Sequence, residues 1–151
     1  GTTGQVGEVS LHVVMPTASS PGGVFRNPND ASIVLVAQAG GTTVLALGDL
    51  EDDGQRELRS ALGGPIVVDV VKIAHHGSAT QDPRLAGLIT ARVGIISVGA
   101  GNTYGHPAPA TVDLYEDRVQ TLLRTDLCSD IAMATVNGFS IATRCPVVMA
   151  G

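Results

Sequence analysis

The chain has no tryptophan, only two tyrosines and two phenylalanines, and aromatics make up 3% of its 151 residues. A core built without large rings must be aliphatic, and the apolar content of 44% is enough for one of ordinary size. Charged residues are also scarce, at 15% against about 25% in an average domain, which excludes a chain kept open by its own charge. Basic residues are the scarcer sign, with 9 Lys+Arg against 14 Asp+Glu and a net charge of -5. They are scattered singly, so the chain lacks the basic footprint of a tight nucleic-acid binder. Long apolar runs are missing as well. Ala31 to Gly48 comes nearest to a membrane span, but Gln38, Gly40-Gly41 and Thr42-Thr43 divide it into a hairpin. No basic segment precedes an apolar run near the start, and the chain begins on Gly. A signal peptide is therefore absent or already removed, and the beginning reads as a cut inside a longer protein. Gly99-x-Gly101 has no third glycine at dinucleotide spacing and no Walker pattern occurs, so no nucleotide cofactor is expected. Ser78 lacks the Gly-x-Ser-x-Gly elbow of a serine hydrolase and reads as a helix cap.

What is present alternates in type. Val9 to Met15 reads as a strand, and Pro16 to Asn29 as a Gly/Pro/Ser/Asn-rich loop expected to be mobile. Ser32 to Ala37 and Thr43 to Leu47 are β-branched runs joined through Gly40-Gly41, hence antiparallel neighbours. The acidic residues Glu51 to Asp53 open a helix over 52–62 that Gly63-Gly64 should stop. Ile66 to Ala74 is a strand, Pro83 to Thr90 a helix, Val93 to Val98 a buried strand and Gly99 to Pro109 a loop. A helix at Ala110 to Arg118, a strand at Thr121 to Arg124 and a hairpin of Ile131 to Ala134 with Phe139 to Thr143 complete the chain. Hairpins at the ends with βα units between them predict an α/β fold with helices packed on a sheet. Residues 1–151 are expected to form one domain or half of one.

In open α/β sheets, ligands gather beyond the carboxyl ends of the strands. By that rule Asp49, His75, His76 and His106 belong together. One carboxylate and several neutral imidazoles are donors suited to zinc or manganese, and a carboxylate can bridge two ions about 3.5–4 Å apart. The implied chemistry is metal-assisted hydrolysis. The plainer reading stands beside it: Gly-Asp is a common turn after a strand, His-His before Gly is often an ordinary loop, and Gly-His-Pro can simply open a helix.

Five segments run in a telling order: Asn29-Asp30-Ala31-Ser32-Ile33-Val34-Leu35; Leu47-Gly48-Asp49-Leu50-Glu51; Val71-Lys72-Ile73-Ala74-His75-His76-Gly77-Ser78; Ile96-Ser97-Val98-Gly99 with Asn102-Thr103-Tyr104-Gly105-His106-Pro107; and Arg124-Thr125-Asp126. Together they resemble the metallo-β-lactamase-like domain of the ComEC family of bacterial competence proteins, which import DNA. Nearly the whole chain takes part, but it is similar only to the C-terminal half of that domain. The resemblance implies a mixed sheet with helices on one face, half of a four-layer αβ/βα sandwich. It also implies a hydrolytic site of two divalent ions, zinc or manganese, and a nuclease role on the DNA strand that is not imported. By it Asp49 is the bridging metal ligand, His106 the later metal-ligand histidine, and His75 or His76 a catalytic or additional ligand histidine. The family's first ligands come from an N-terminal His-x-His-x-Asp-His motif, and here the remaining histidine is His12, outside any such motif. The metal site of this chain is accordingly expected to be empty or partly filled, and the chain alone to be inactive. Its partners would be DNA, through the complete domain, and the rest of a bacterial inner-membrane protein, with the domain on the extracytoplasmic face. The alternative is a catalytically degenerate scaffold bracing a membrane DNA channel. Half a sandwich also leaves one sheet face uncovered, from which self-association follows.

Cys128 and Cys145 flank the final hairpin. A four-residue loop pairing Ala134 with Phe139 would set the two cysteines opposite each other, so that a disulfide could form. A two-residue Asn137-Gly138 turn would offset them and leave two buried thiols. A disulfide would suit the extracytoplasmic setting that the resemblance implies.

Overall fold

The computed structural model describes residues 1–17, 27–135 and 138–145. Most of the Pro16 to Asn29 loop, expected to be mobile, lies outside the described residues, as does Asn137 of the proposed turn. The chain forms a seven-stranded mixed sheet whose spatial order follows the sequence order. Its strands are β1 (Thr3–Val6), β2 (Val9–Met15), β3 (Val34–Ala39), β4 (Thr42–Ala46), β5 (Ile66–Lys72), β6 (Ile89–Ile96) and β7 (Val119–Arg124). The strands β1 to β4 pair antiparallel, β1 with β2 and β3 with β4 through two-residue turns and β2 with β3 across the long connection of residues 16–33, and β4 to β7 pair parallel. Parallel neighbours need crossovers, which are supplied by α1 (Asp52–Leu62), α2 (Pro83–Ala86) and α3 (Pro109–Glu116). After β7 come a short helix α4 (Thr125–Cys128) and a separate hairpin of β8 (Ile131–Ala134) and β9 (Ser140–Thr143).

The fold is α/β with helices on one face of a mixed sheet, as expected. On that face Leu58 and Leu62 of α1 pack with Met15, Val34, Leu45 and Val71, while Val112 and Tyr115 of α3 pack with Ile73, Ile96 and Val98. The hairpin covers part of the opposite face, where Ile131, Met133 and Ile141 meet Val70, Val93 and Leu123. The core is aliphatic, and Tyr115 is its one aromatic ring among the described residues.

Helix α1 has the bounds expected. Asp52 and Asp53 face the positive end of its dipole, Arg56 pairs with Asp53, and Gly63, left-handed at φ 66°, ends it. Three readings need correction. The helix at Pro83 to Thr90 is only one turn, because the Gly87 and Leu88 amides fold back on the Pro83 and Leu85 carbonyls, and Ile89 and Ala91 enter the sheet as buried β6 residues. The exposed strand β1 carries no apolar alternation, so no sequence signal marks it. Neither hairpin register is the one adopted: Ala134 faces Ser140, not Phe139. Cys128 is not a strand residue; it ends α4 and reaches Cys145 to form a disulfide.

Candidate functional site at the carboxyl ends of the parallel strands

Because β4, β5 and β6 run parallel, the segments that follow them emerge at one edge of the sheet. The first is Leu47-Gly48-Asp49. Gly48 takes φ 59°, and a side chain there would strike the Ser32 Cβ at 2.6 Å, so this turn requires glycine. The Asp49 amide donates to the Ser32 hydroxyl at 3.0 Å, and the Gly48 carbonyl accepts from the Lys72 ammonium at 2.9 Å and the His75 amide at 3.1 Å. Lys72 also stands 3.5 Å from the Asp49 carboxylate, so this charged pair straddles the ends of β4 and β5.

The second segment is the Ala74–Gly77 turn after β5. His75 and His76 adopt left-handed backbones at φ 46° and 52°, followed by Gly77 at 77°. Such a conformation costs a non-glycine residue about 1–2 kcal/mol, and strain of this kind concentrates at functional sites. The two imidazoles are held differently. His76 donates through Nδ1 to the Ser97 carbonyl at 2.6 Å, and its Nε2 stands 3.6 Å from Asp49 Oδ1. A backbone carbonyl that accepts one ring N–H is the contact that orients metal-ligating histidines, whose other nitrogen is left for the ion. His75 Nδ1 lies 3.1 Å from Glu51 Oε1, yet its direction misses the carboxylate, and this buried nitrogen has no aligned hydrogen bond. Glu51 Oε1 itself accepts from the Asn29 side-chain NH₂ at 2.9 Å.

The third segment, after β6, carries His106. Asn102 shapes it: its carbonyl oxygen accepts from the Tyr104 and His106 amides at 3.2 Å, and its NH₂ donates to the Gly99 carbonyl at 3.1 Å and the His106 carbonyl at 2.7 Å. Pro107 is seated on Gly77, where an added Cβ would stand 2.7 Å from the Pro107 Cβ, and the Ala108 amide donates to the Gly77 carbonyl at 2.8 Å. The two loops are therefore locked together. The His106 ring lies 5.5 Å from His75, and His75 lies 6.1 Å from His76, centroid to centroid. Burial, followed by the neighbouring His75 and His76, holds His106 below the ordinary histidine value, so it is neutral near pH 7 with a lone pair available.

The four residues singled out from the sequence do gather at one place. Among the described residues, however, no group of three or more His, Cys, Asp or Glu side chains is arranged to hold a metal ion. The donor types fit a divalent cation, and the pair of Asp49 with the Nε2 of His76 fits part of one coordination shell. Lys72, Glu51, Ser97 and Asn102 stand in the segments that carry the resemblance, but sequence reasoning gave them no role in this site. Lys72 lies inside the strand read at Ile66 to Ala74 and Glu51 reads as helix-opening charge; Ser97 acts through its backbone, which no side-chain signal reveals. Two other expectations resolve as structure. Ser78 is the C-cap of the Ala74–Gly77 3-10 turn, its amide donating to the His75 carbonyl, and its buried hydroxyl shares a hydrogen bond with Thr80, while Asp82 caps α2. In Arg124-Thr125-Asp126, Arg124 pairs with Asp126 and the Thr125 hydroxyl bridges the amide and carbonyl of Val98.

No protein-family model matches the chain. Over 123 residues, 81% of its length, it is 32% identical to ComE operon protein 3 of Bacillus subtilis (strain 168), covering 15% of that protein. Over 100 residues, 66% of its length, it is 34% identical to Competence protein ComA of Neisseria gonorrhoeae, covering 14% of that protein. The chain thus spans about one seventh of the length of the curated relatives it matches. The two similarities support reading it as a segment of a competence protein.

Proposed function

We propose that the chain serves DNA uptake as part of a competence protein of the ComEC kind, contributing half of a metallo-β-lactamase-like hydrolase domain. In this reading the complete domain is a metal-dependent DNA phosphodiesterase that degrades the strand not taken in. The observation that carries the reading is His76, whose Nδ1 is engaged by the Ser97 carbonyl while Nε2 faces the Asp49 carboxylate at 3.6 Å. Asp49 and His106 would be the metal ligands, and His76, with His75, would ligate or transfer a proton. The remaining ligands would come from the rest of the parent protein, so the chain alone would be inactive or nearly so. A divalent cation, zinc or manganese, would supply Lewis-acid polarisation of a phosphoryl oxygen and a water of lowered pKa. The chain's own residues orient those donors: Ser32 and Lys72 fix the Asp49 turn, Ser97 fixes the tautomer of His76, and Asn102 holds the backbone of His106. Described helices include none long and apolar enough to cross a membrane. The reading sets this segment outside the bilayer, on the extracytoplasmic side, and the Cys128–Cys145 disulfide supports that side.

One observation favours a second reading, a scaffold without catalysis. The Lys72 ammonium already sits 3.5 Å from the Asp49 carboxylate and competes there with a cation. A calorimetric titration with Mn²⁺ and Zn²⁺ near neutral pH, with Asp49→Ala beside it, separates the two. Binding that the substitution removes is the outcome expected for the hydrolase reading, and binding that survives it rejects Asp49 as a ligand. In the parent protein, Asp49→Ala should abolish metal-dependent DNA cleavage.

A further inference from the structure

Tyr104 stands at the mouth of this site, 84% exposed, in a chain that has only two tyrosines. Its position is not that of a loose surface side chain. The Asn102 carbonyl oxygen accepts the Tyr104 amide, and Asn102 ties the same loop to Gly99 and His106 with three further hydrogen bonds. The Tyr104 ring lies almost parallel to the His106 imidazole, at an interplanar angle of 20° and a centroid distance of 6.2 Å. A large apolar plane is thus presented to solvent on a braced loop, in register with an imidazole of the candidate site. The protein's net charge of -5 and its scattered basic residues give phosphate contacts little to work with. Affinity for a polyanion would have to come from its bases instead, and a base in an unpaired strand has a free face for an aromatic ring.

We propose that Tyr104 is a stacking platform for an unpaired nucleobase, and that it lays a single strand of DNA beside His75, His76 and His106. The inference deepens the hydrolase reading and rests on it for the choice of polymer. It makes the preferred ligand single-stranded, because bases in a duplex are already stacked on each other. It also predicts a shallow dependence of affinity on salt, since few counterions are released.

The test measures fluorescence anisotropy of a short 5′-labelled single-stranded oligothymidylate titrated with the chain in EDTA, where no divalent cation takes part. Tyr104→Phe, which keeps the ring, should bind within about twofold of the unsubstituted protein, and Tyr104→Ala should bind about 5- to 100-fold more weakly. An abasic strand of equal length and a duplex of the same sequence should both bind poorly. The tyrosine emission should be quenched by the base-bearing strand, since the other tyrosine, Tyr115, is buried. Equal affinity for Tyr104→Ala and the unsubstituted protein overturns the proposal, as does equal affinity for the abasic strand or no binding of any strand. The metal titration with Asp49→Ala bears on the hydrolase reading alone and the anisotropy in EDTA on Tyr104 alone, so failure of either is recognised as its own.

Discussion

Asp82 joins two helices at a point where charge decides stability. Its carboxylate caps α2 by accepting the Arg84 amide at 2.9 Å and pairs with Arg59 of α1 at 3.0 Å, while its own amide donates to the buried Gln55. Burial pushes this carboxyl up, but the Arg84 amide and the Arg59 guanidinium together pull it below its ordinary value of 3.8. A carboxyl lowered in the folded state contributes stability that is fully present above the ordinary value and disappears as pH falls through the folded one. Asp82→Ala should therefore cost about 1–2 kcal/mol at pH 7, and the gap should narrow below about pH 4. Urea unfolding of both proteins at pH 7 and pH 3 checks this. At this scale the sequence was informative where side-chain chemistry alone identifies a residue, as with Asp49 and the histidines after β5 and β6. It was silent on Lys72 and Asn102, whose roles come from what they touch: the Gly48 carbonyl 24 positions away in one case, and the backbone of its own loop in the other.

Helix α1 shows how one element depends on another far from it in sequence. Its N-cap residue, Glu51, makes no side-chain cap bond. The buried carboxylate of Asp30, in the 3-10 turn Pro28–Ala31, takes that place by accepting the Glu51 amide at 2.9 Å and the Gly54 amide at 3.0 Å. Asp30→Ala should leave both donors unmet and cost roughly 1–3 kcal/mol, read as a lower midpoint in chemical unfolding. It should also loosen Glu51 and with it the surroundings of His75. The β8–β9 hairpin depends instead on a covalent bond. The Cys128–Cys145 disulfide closes a separation of 17 residues, for which loop entropy predicts about 3 kcal/mol. Unfolding with and without reductant should show that difference, and Cys128→Ala with Cys145→Ala should reproduce the reduced form. The sequence located this hairpin correctly but not its register, because Ile131, Met133 and Ile141 are placed by packing on Val70, Val93 and Leu123, residues distant in sequence. The short α2 was overread for a similar reason: Ile89 and Ala91 suit a helix or a strand by composition, and the place beside β5 decides for the strand.

For the molecule as a whole, the sheet has an edge that any second chain would meet. All four residues of β1 are exposed, and Val6 is 68% exposed. Among the described residues no strand pairs with the outer side of β1, and an open strand edge is a template for pairing. Sedimentation at increasing concentration should show self-association, and Gln5→Pro, which removes a ladder amide, should reduce it; a monomer at every concentration would reject the edge as a contact. Composition and pattern by themselves determined the aliphatic core, the α/β class, the bounds of α1 and the residue types able to bind a metal, because these depend on local spacing and side-chain chemistry. The βα alternation also brought Asp49, His75, His76 and His106 to one end of the sheet, and only the tertiary structure decided how their loops touch. It alone assigned different duties to two adjacent histidines, and it alone joined Pro107 to Gly77. Each of those outcomes requires segments distant in sequence to pack against one another, and nothing in a linear pattern of residues carries that distance.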